Sequence, residues 1–253
     1  MLRSMNELLG YQVMARDGEM GKVADFYFDD QEWMTRYLVV DTGPWIFGRK
    51  VLVSILALGQ PVWSAETFPV ELTREQVKNS PDIDLAKPVS RQQQVTLHDY
   101  YRWPAYWSLP ISAQRRPMMT PVPNVSSETQ DATQKEAYQE NQHLRSLTEV
   151  LGYEVLAEDG PVGQVADFIA SDEDWAVRYL VVALAGTESN RKVLLAPAWI
   201  RWIRQDVGQV QVELSQEIIR ESPEFDFQEA VNRQYEEVLY DYYGRPKYWR
   251  KLE

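Results

Sequence analysis

Two periodicities alternate along the chain, and together they spell out a set of short strands followed by helix. Residues 11–16 read as a short strand and run into Asp17-Gly18, which supplies the turn chemistry of a hairpin. Alternation resumes over 22–29, with Val23, Asp25 and Tyr27 on one face and Ala24, Phe26 and Phe28 on the other. Residues 36–41 form a β-branched apolar run, 50–53 form another, and 61–64 with 68–72 read as a final pair. After Leu72 the period lengthens. Thr73 stands as N-cap of a short helix through Asn79 that stops before Pro81, and a second helix is expected between Leu85 and Tyr100. Short strands with close-spaced turns are the signature of a small barrel or sandwich, here with a helical tail.

The pattern is then written a second time. Residues 9–107 can be laid on 151–249 at a constant offset of 142, without a gap. Asp17-Gly18-x-x-Gly21-x-Val23-Ala24-Asp25-Phe26 matches Asp159-Gly160-x-x-Gly163-x-Val165-Ala166-Asp167-Phe168, and Arg36-Tyr37-Leu38-Val39-Val40 matches Arg178-Tyr179-Leu180-Val181-Val182. Arg49-Lys50-Val51-Leu52 matches Arg191-Lys192-Val193-Leu194, and Tyr100-Tyr101-x-x-Pro104-x-Tyr106-Trp107 matches Tyr242-Tyr243-x-x-Pro246-x-Tyr248-Trp249. In the second copy Ser215 caps the short helix, and Phe227, Val231, Tyr235, Val238 and Tyr242 repeat at helical spacing. A period this long is domain duplication. The chain therefore divides into 1–107, a first repeat with its tail; 108–146, a Pro/Ser/Thr/Gln-rich linker with helical character near Gln134–Leu144; and 147–253, the second repeat with its tail.

Composition narrows the function. No apolar run approaches the roughly 20 residues of a bilayer span, so no membrane span and a cytoplasmic location are expected. The absence of cysteine removes disulfides and thiol chemistry. A formal charge of −12, concentrated in the second repeat, repels polyanions at long range and leaves cations or basic proteins as the easier partners. Nucleic acid is not expected as a partner.

Candidate chemistry is sparse. His98 and His143 are the two histidines; the first is Tyr240 in the other copy and the second lies in the linker, so no duplicated general base exists and no enzymatic activity or organic cofactor is expected. Asp25 with Arg36, and Asp167 with Arg178, are expected to form cross-strand ion pairs. The acidic turns Asp29, Asp30 and Glu32, and Asp172, Glu173 and Asp174, are the candidate metal ligands, since calcium wants several oxygens converging from a loop; lacking the twelve-residue loop pattern, they would hold it weakly, and solvated hairpin tips are the favoured reading. The Tyr/Trp-rich tails resemble base-stacking platforms in composition but lack a basic track, so packing over the sheet is expected of them. Trp45, Ile46 and Phe47 occupy a loop whose counterpart is polar, which marks them as candidate protein-contact residues.

The ordered set Leu-x-Gly, Asp-Gly-x-x-Gly-x-Val-x-Asp, Arg-Tyr-Leu-Val-Val and Arg-Lys-Val-Leu resembles the PRC-barrel family, named for the cytoplasmic domain of the photosynthetic reaction centre H subunit. The resemblance covers roughly 8–72 and 150–214 and implies a six-stranded, strongly bent β-barrel in each repeat, used as an assembly module without catalysis. The chain is then expected to be an adaptor or scaffold, its two repeats packing pseudo-symmetrically as an internal pseudo-dimer, with a protein partner or a second copy of itself as ligand. The alternatives are a calcium-binding or buffering protein and a photosynthetic or electron-transfer accessory.

Overall fold

In the computed structural model, residues 1–46, 48–83, 85, 89–108, 143–186, 191–226 and 231–249 are described. Strands β1 (Leu2–Ser4), β2 (Gln12–Ala15), β3 (Gly18–Asp29), β4 (Met34–Asp41), β5 (Lys50–Ser54) and β6 (Thr67–Pro69) precede helices α1 (Arg74–Lys78) and α2 (Arg91–Tyr101). Then come β7 (Leu144–Ser146), α3 (Leu147–Val150), β8 (Glu154–Ala157), β9 (Gly160–Ser171), β10 (Val177–Leu184), β11 (Lys192–Leu195), β12 (Ile200–Arg204) and β13 (Gln209–Val212), closed by α4 (Gln216–Glu221) and α5 (Arg233–Tyr243). The protein is mainly β. Its two sheets run β5-β4-β3-β2-β6 with β7 added on β3, and β11-β10-β9-β8-β13-β12 with β1 added on β9. Among the described residues both are open paths, with no pairing that joins the two ends.

The long strands β3 and β9 organise each sheet. Residues 18–22 of β3 pair with β2 and residues 22–29 with β4, the register slipping between Val23 and Asp25 so that the strand bends there. β9 repeats the slip between its pairings with Val181 and Val182. Gly21 and Gly163 make the crossing possible: a Cβ at either would lie 2.1 Å from the carbonyl oxygen of Asp41 or Ala183. The alternation read from the sequence puts Phe26, Leu38, Val40, Val53 and Phe68 into one core and Phe168, Leu180, Val182, Leu194 and Val210 into the other, all fully buried or nearly so.

The helical tails follow the expected signals closely. Thr73 and Gln76 form a capping box at α1, Ser215 caps α4, and both helices stop before a proline. The helix expected from Leu85 starts later, at Arg91, where Ser90 and Gln93 form a second capping box. One expected strand is absent. Residues 61–64 do not match β12 of the second repeat; a 3-10 turn at Trp63–Ala65 and two isolated bridges stand in its place. Pro61 occupies the position of Ile203, and proline has no N–H to give the ladder.

The compact units do not follow the repeat boundaries at 107 and 147. One comprises Leu8–Ser146; the other joins Met1–Glu7 to Leu147–Glu253. Most of the linker, residues 109–142, lies outside the described residues, and with it nearly all of the helical stretch expected near Gln134–Leu144; Leu144–Ser146 is extended.

Candidate interaction site

The displaced pieces are the strands β1 and β7, both Leu-Arg-Ser. β7 docks antiparallel on the end of β3, with Arg145 opposite Phe28 and Ser146 opposite Tyr27. β1 docks on β9 in the same register, with Arg3 opposite Ala170 and Ser4 opposite Ile169. Three residues cannot bury enough apolar surface to hold themselves, so the docking leans on side chains. Ser146 Oγ donates to Asp25 Oδ2 at 2.5 Å, and Ser4 Oγ donates to Asp167 Oδ2 at 2.5 Å. Arg145 Nε donates to Asp30 Oδ2 at 2.7 Å, and Arg3 Nε to Asp172 Oδ2 at 3.2 Å. The preceding residue adds a third contact: His143 Nδ1 lies 2.9 Å from Asp30, and the amino group of Met1 bonds Asp172.

Asp167 is the anchor of this arrangement. It is 1% exposed, its Oδ1 accepts the backbone N–H groups of Asn6 (3.0 Å) and Phe168 (2.7 Å), and burial pushes its carboxyl up while the bonds from Ser4, Phe168 and Asn6 pull it back. This differs from the ion pair expected with Arg178. Arg178 reaches Asp174 at 2.6 Å and lies over the Tyr248 ring, 4.8 Å from its centroid. In the first repeat Arg36 approaches Asp29 at 3.8 Å and stacks on Tyr106 at 4.1 Å. In the second repeat the acidic partner of the arginine therefore sits in the turn, and in both repeats the strand aspartate accepts from the docked serine.

The candidate metal ligands are placed by the same contacts. Asp29 Oδ1 caps its own turn by accepting the N–H groups of Gln31 (3.0 Å) and Glu32 (3.1 Å), while Asp30 faces Arg145. Asp172 faces Arg3, Asp174 faces Arg178, and the Glu173 side chain is 84% exposed. Among the described residues no three His, Asp or Glu side chains converge as a metal ion requires. Trp45 and Ile46 belong to a 3-10 turn, Gly43–Ile46, but their side chains, and all of Phe47, lie outside the described residues.

The tails form a buried polar knot over β4 and β10. In the first unit Gln94 Oε1 accepts Tyr106 Oη at 2.7 Å, and Tyr37 Oη lies 3.3 Å from the same oxygen. His98 Nδ1 donates to the Pro104 carbonyl at 2.9 Å, which leaves Nε2 to accept Tyr37 Oη at 2.8 Å. Burial pushes His98 down to about 4. In the second unit Glu236 replaces Gln94, accepting Tyr179 Oη at 2.7 Å, Tyr248 Oη at 2.8 Å and Arg233 Nη1 at 2.9 Å. Arg91 covers Trp107 and Arg233 covers Trp249, at 4.6 and 4.1 Å from the ring centroids. In both tails rings pack against one another and hydrogen-bond into the knot, while Tyr100, Tyr242 and Tyr248 remain exposed.

The sequence model of the PRC-barrel domain matches residues 2–62. No curated protein matches the chain. The match begins in β1 and runs through β5, so it treats as one stretch what the structure divides between two units at Glu7 and Leu8. Sequence reasoning missed β1 and β7, which are too short to show a period. The signal that finds them is identity at the repeat offset: Leu2-Arg3-Ser4 and Leu144-Arg145-Ser146 stand 142 positions apart, ahead of the point where the repeat was taken to begin.

Proposed function

We propose that this protein is a non-enzymatic cytoplasmic adaptor or scaffold made of two tandem PRC-type six-stranded barrels, each with a helical tail, the fused counterpart of a homodimer of single repeats. The observation that supports this reading is the recurrence of one hydrogen-bond scheme in both units. Asp25 and Asp167, Asp30 and Asp172, Tyr106 and Tyr248 hold equivalent partners, although the family match covers the first repeat alone. Every strongly perturbed side chain in these networks is engaged in holding strands or tails, and His98, the sole buried histidine, already has both ring nitrogens occupied. A duplicated module whose polar groups are consumed by its own architecture suits the work of presenting surfaces to other proteins. Trp45, Ile46 and Phe47 are the contact residues we assign to the first repeat.

Purification of the tagged chain from its native cell at native abundance, with quantitative mass spectrometry, tests the reading. A protein partner in stoichiometric yield, lost when Trp45 and Phe47 are changed to Ser, is the expected result. A chain that purifies alone and turns over a small molecule overturns it.

A further inference from the structure

We propose that the end of β9, with Asp167 and Asp172, is a receptor for an extended Leu-Arg-Ser segment, and that it accepts this segment in trans from a second copy of the chain. The matching receptor at the end of β3 uses Asp25 and Asp30. Each receptor reads its ligand in three ways: a backbone ladder against residues 169–171 or 27–29, a buried aspartate for the serine hydroxyl, and a turn aspartate for the arginine. Leu-Arg-Ser occurs twice in the 253 residues, and both occurrences are docked in this way.

The two ligands carry the same residues and meet equivalent aspartates, so the contacts themselves do not distinguish one source from the other. Neither segment is tied to its receptor by neighbouring sequence: Ser4 and Asp167 are 163 residues apart, and Ser146 and Asp25 are 121 apart. An incoming copy therefore offers the same bonds, and only the effective concentration of the tethered segment favours the chain's own. This inference rests on the side-chain contacts and not on the adaptor reading; it survives if no foreign partner exists.

The test removes residues 1–7 from the otherwise full chain and supplies them back as a synthetic peptide spanning Met1–Glu7. The shortened chain is expected to melt lower, and the peptide to bind it and restore most of the loss. A peptide carrying Arg3→Glu and Ser4→Ala should bind at least about tenfold more weakly, since a charge-assisted bond and a buried hydroxyl bond are both gone. A folded shortened chain that ignores the peptide overturns the proposal, as does equal binding of the altered peptide. Should the shortened chain fail to fold, a protease site placed within residues 109–142 of the full chain serves instead. After cleavage the two fragments are expected to co-elute, and to separate once Arg3 and Arg145 are both changed to Glu. Separation of the unaltered fragments, or co-elution of the altered ones, overturns it.

Discussion

Tyr37 Oη donates to His98 Nε2 at 2.8 Å, and at the position of His98 the second repeat has Tyr240. The histidine must be neutral to accept that bond, and burial holds it at about 4 against an ordinary 6.5. The unfolded chain takes up its proton first as pH falls. The contribution of His98 is therefore complete above about pH 6.5 and is lost between there and about pH 4, by up to ~3 kcal/mol. Asp167 has the opposite sign: its carboxyl is raised, so the folded state takes up that proton more readily and acid favours the unit it anchors. Thermal melts at pH 7 and 4.5 should show the Leu8–Ser146 unit losing the more, and His98→Gln should flatten its response. An unchanged acid response in that variant would assign the effect elsewhere.

Glu236 is 2% exposed and takes bonds from two tyrosines and one arginine. Glu236→Gln reproduces the first repeat's Gln94 and leaves both hydroxyls an acceptor, so a cost of ~1–2 kcal/mol is expected from the weakened bond to Arg233. Glu236→Leu strands the buried Tyr179 hydroxyl and the Arg233 guanidinium and should cost ~3–5 kcal/mol. Urea denaturation of the two variants gives the comparison; equal losses would mean that the acceptor oxygen is irrelevant.

Gly21 has φ +146° and no room for a methyl group, whereas Gly10 has open space around it. Gly21→Ala should cost more than ~3 kcal/mol through collision with the β4 backbone, and Gly10→Ala only ~1 kcal/mol from backbone strain. Chemical denaturation ranks them.

Millimolar calcium is expected to change the melting temperature little, because Asp172 and Asp174 each already face a guanidinium and a cation would have to displace it. A clear rise, abolished by Asp172→Asn with Asp174→Asn, would establish a site at that turn.

Changing Trp45 and Phe47 to Ser should leave the circular dichroism spectrum and melting temperature of the full chain unchanged while weakening association with its partner by ~2 kcal/mol, as for buried aromatic contact residues. Loss of folding would place both rings in the interior.

The sheets were legible because alternation in 22–29 and the apolar run 36–41 state which face is buried, and duplication let each repeat check the other. Thr73, Ser215, Pro81 and Pro223 marked helix ends for stereochemical reasons that hold in any context. The exceptions are instructive. Pro61 cancelled a strand that its neighbours still suggest, because one missing N–H outweighs a weak β preference. Asp167 was assigned the nearest plausible cation, since spacing within one repeat says nothing about a partner more than a hundred residues away. The docked strands carry too few residues for any periodicity, and their meaning lies in pairing with a distant edge.

The crossing of segments also has a temporal side. While the chain is being made, the edge of β3 at Tyr27–Asp29 emerges well before Leu144–Ser146, and at roughly 5–20 residues per second the wait is on the order of ten seconds. Left uncovered in that interval, the first repeat would present a bare strand edge, the feature most prone to unwanted pairing. Leu2-Arg3-Ser4 has emerged by then and carries the same side chains, so it can serve as a placeholder until the later segment displaces it. The exchange of strands would then precede the completion of the second sheet.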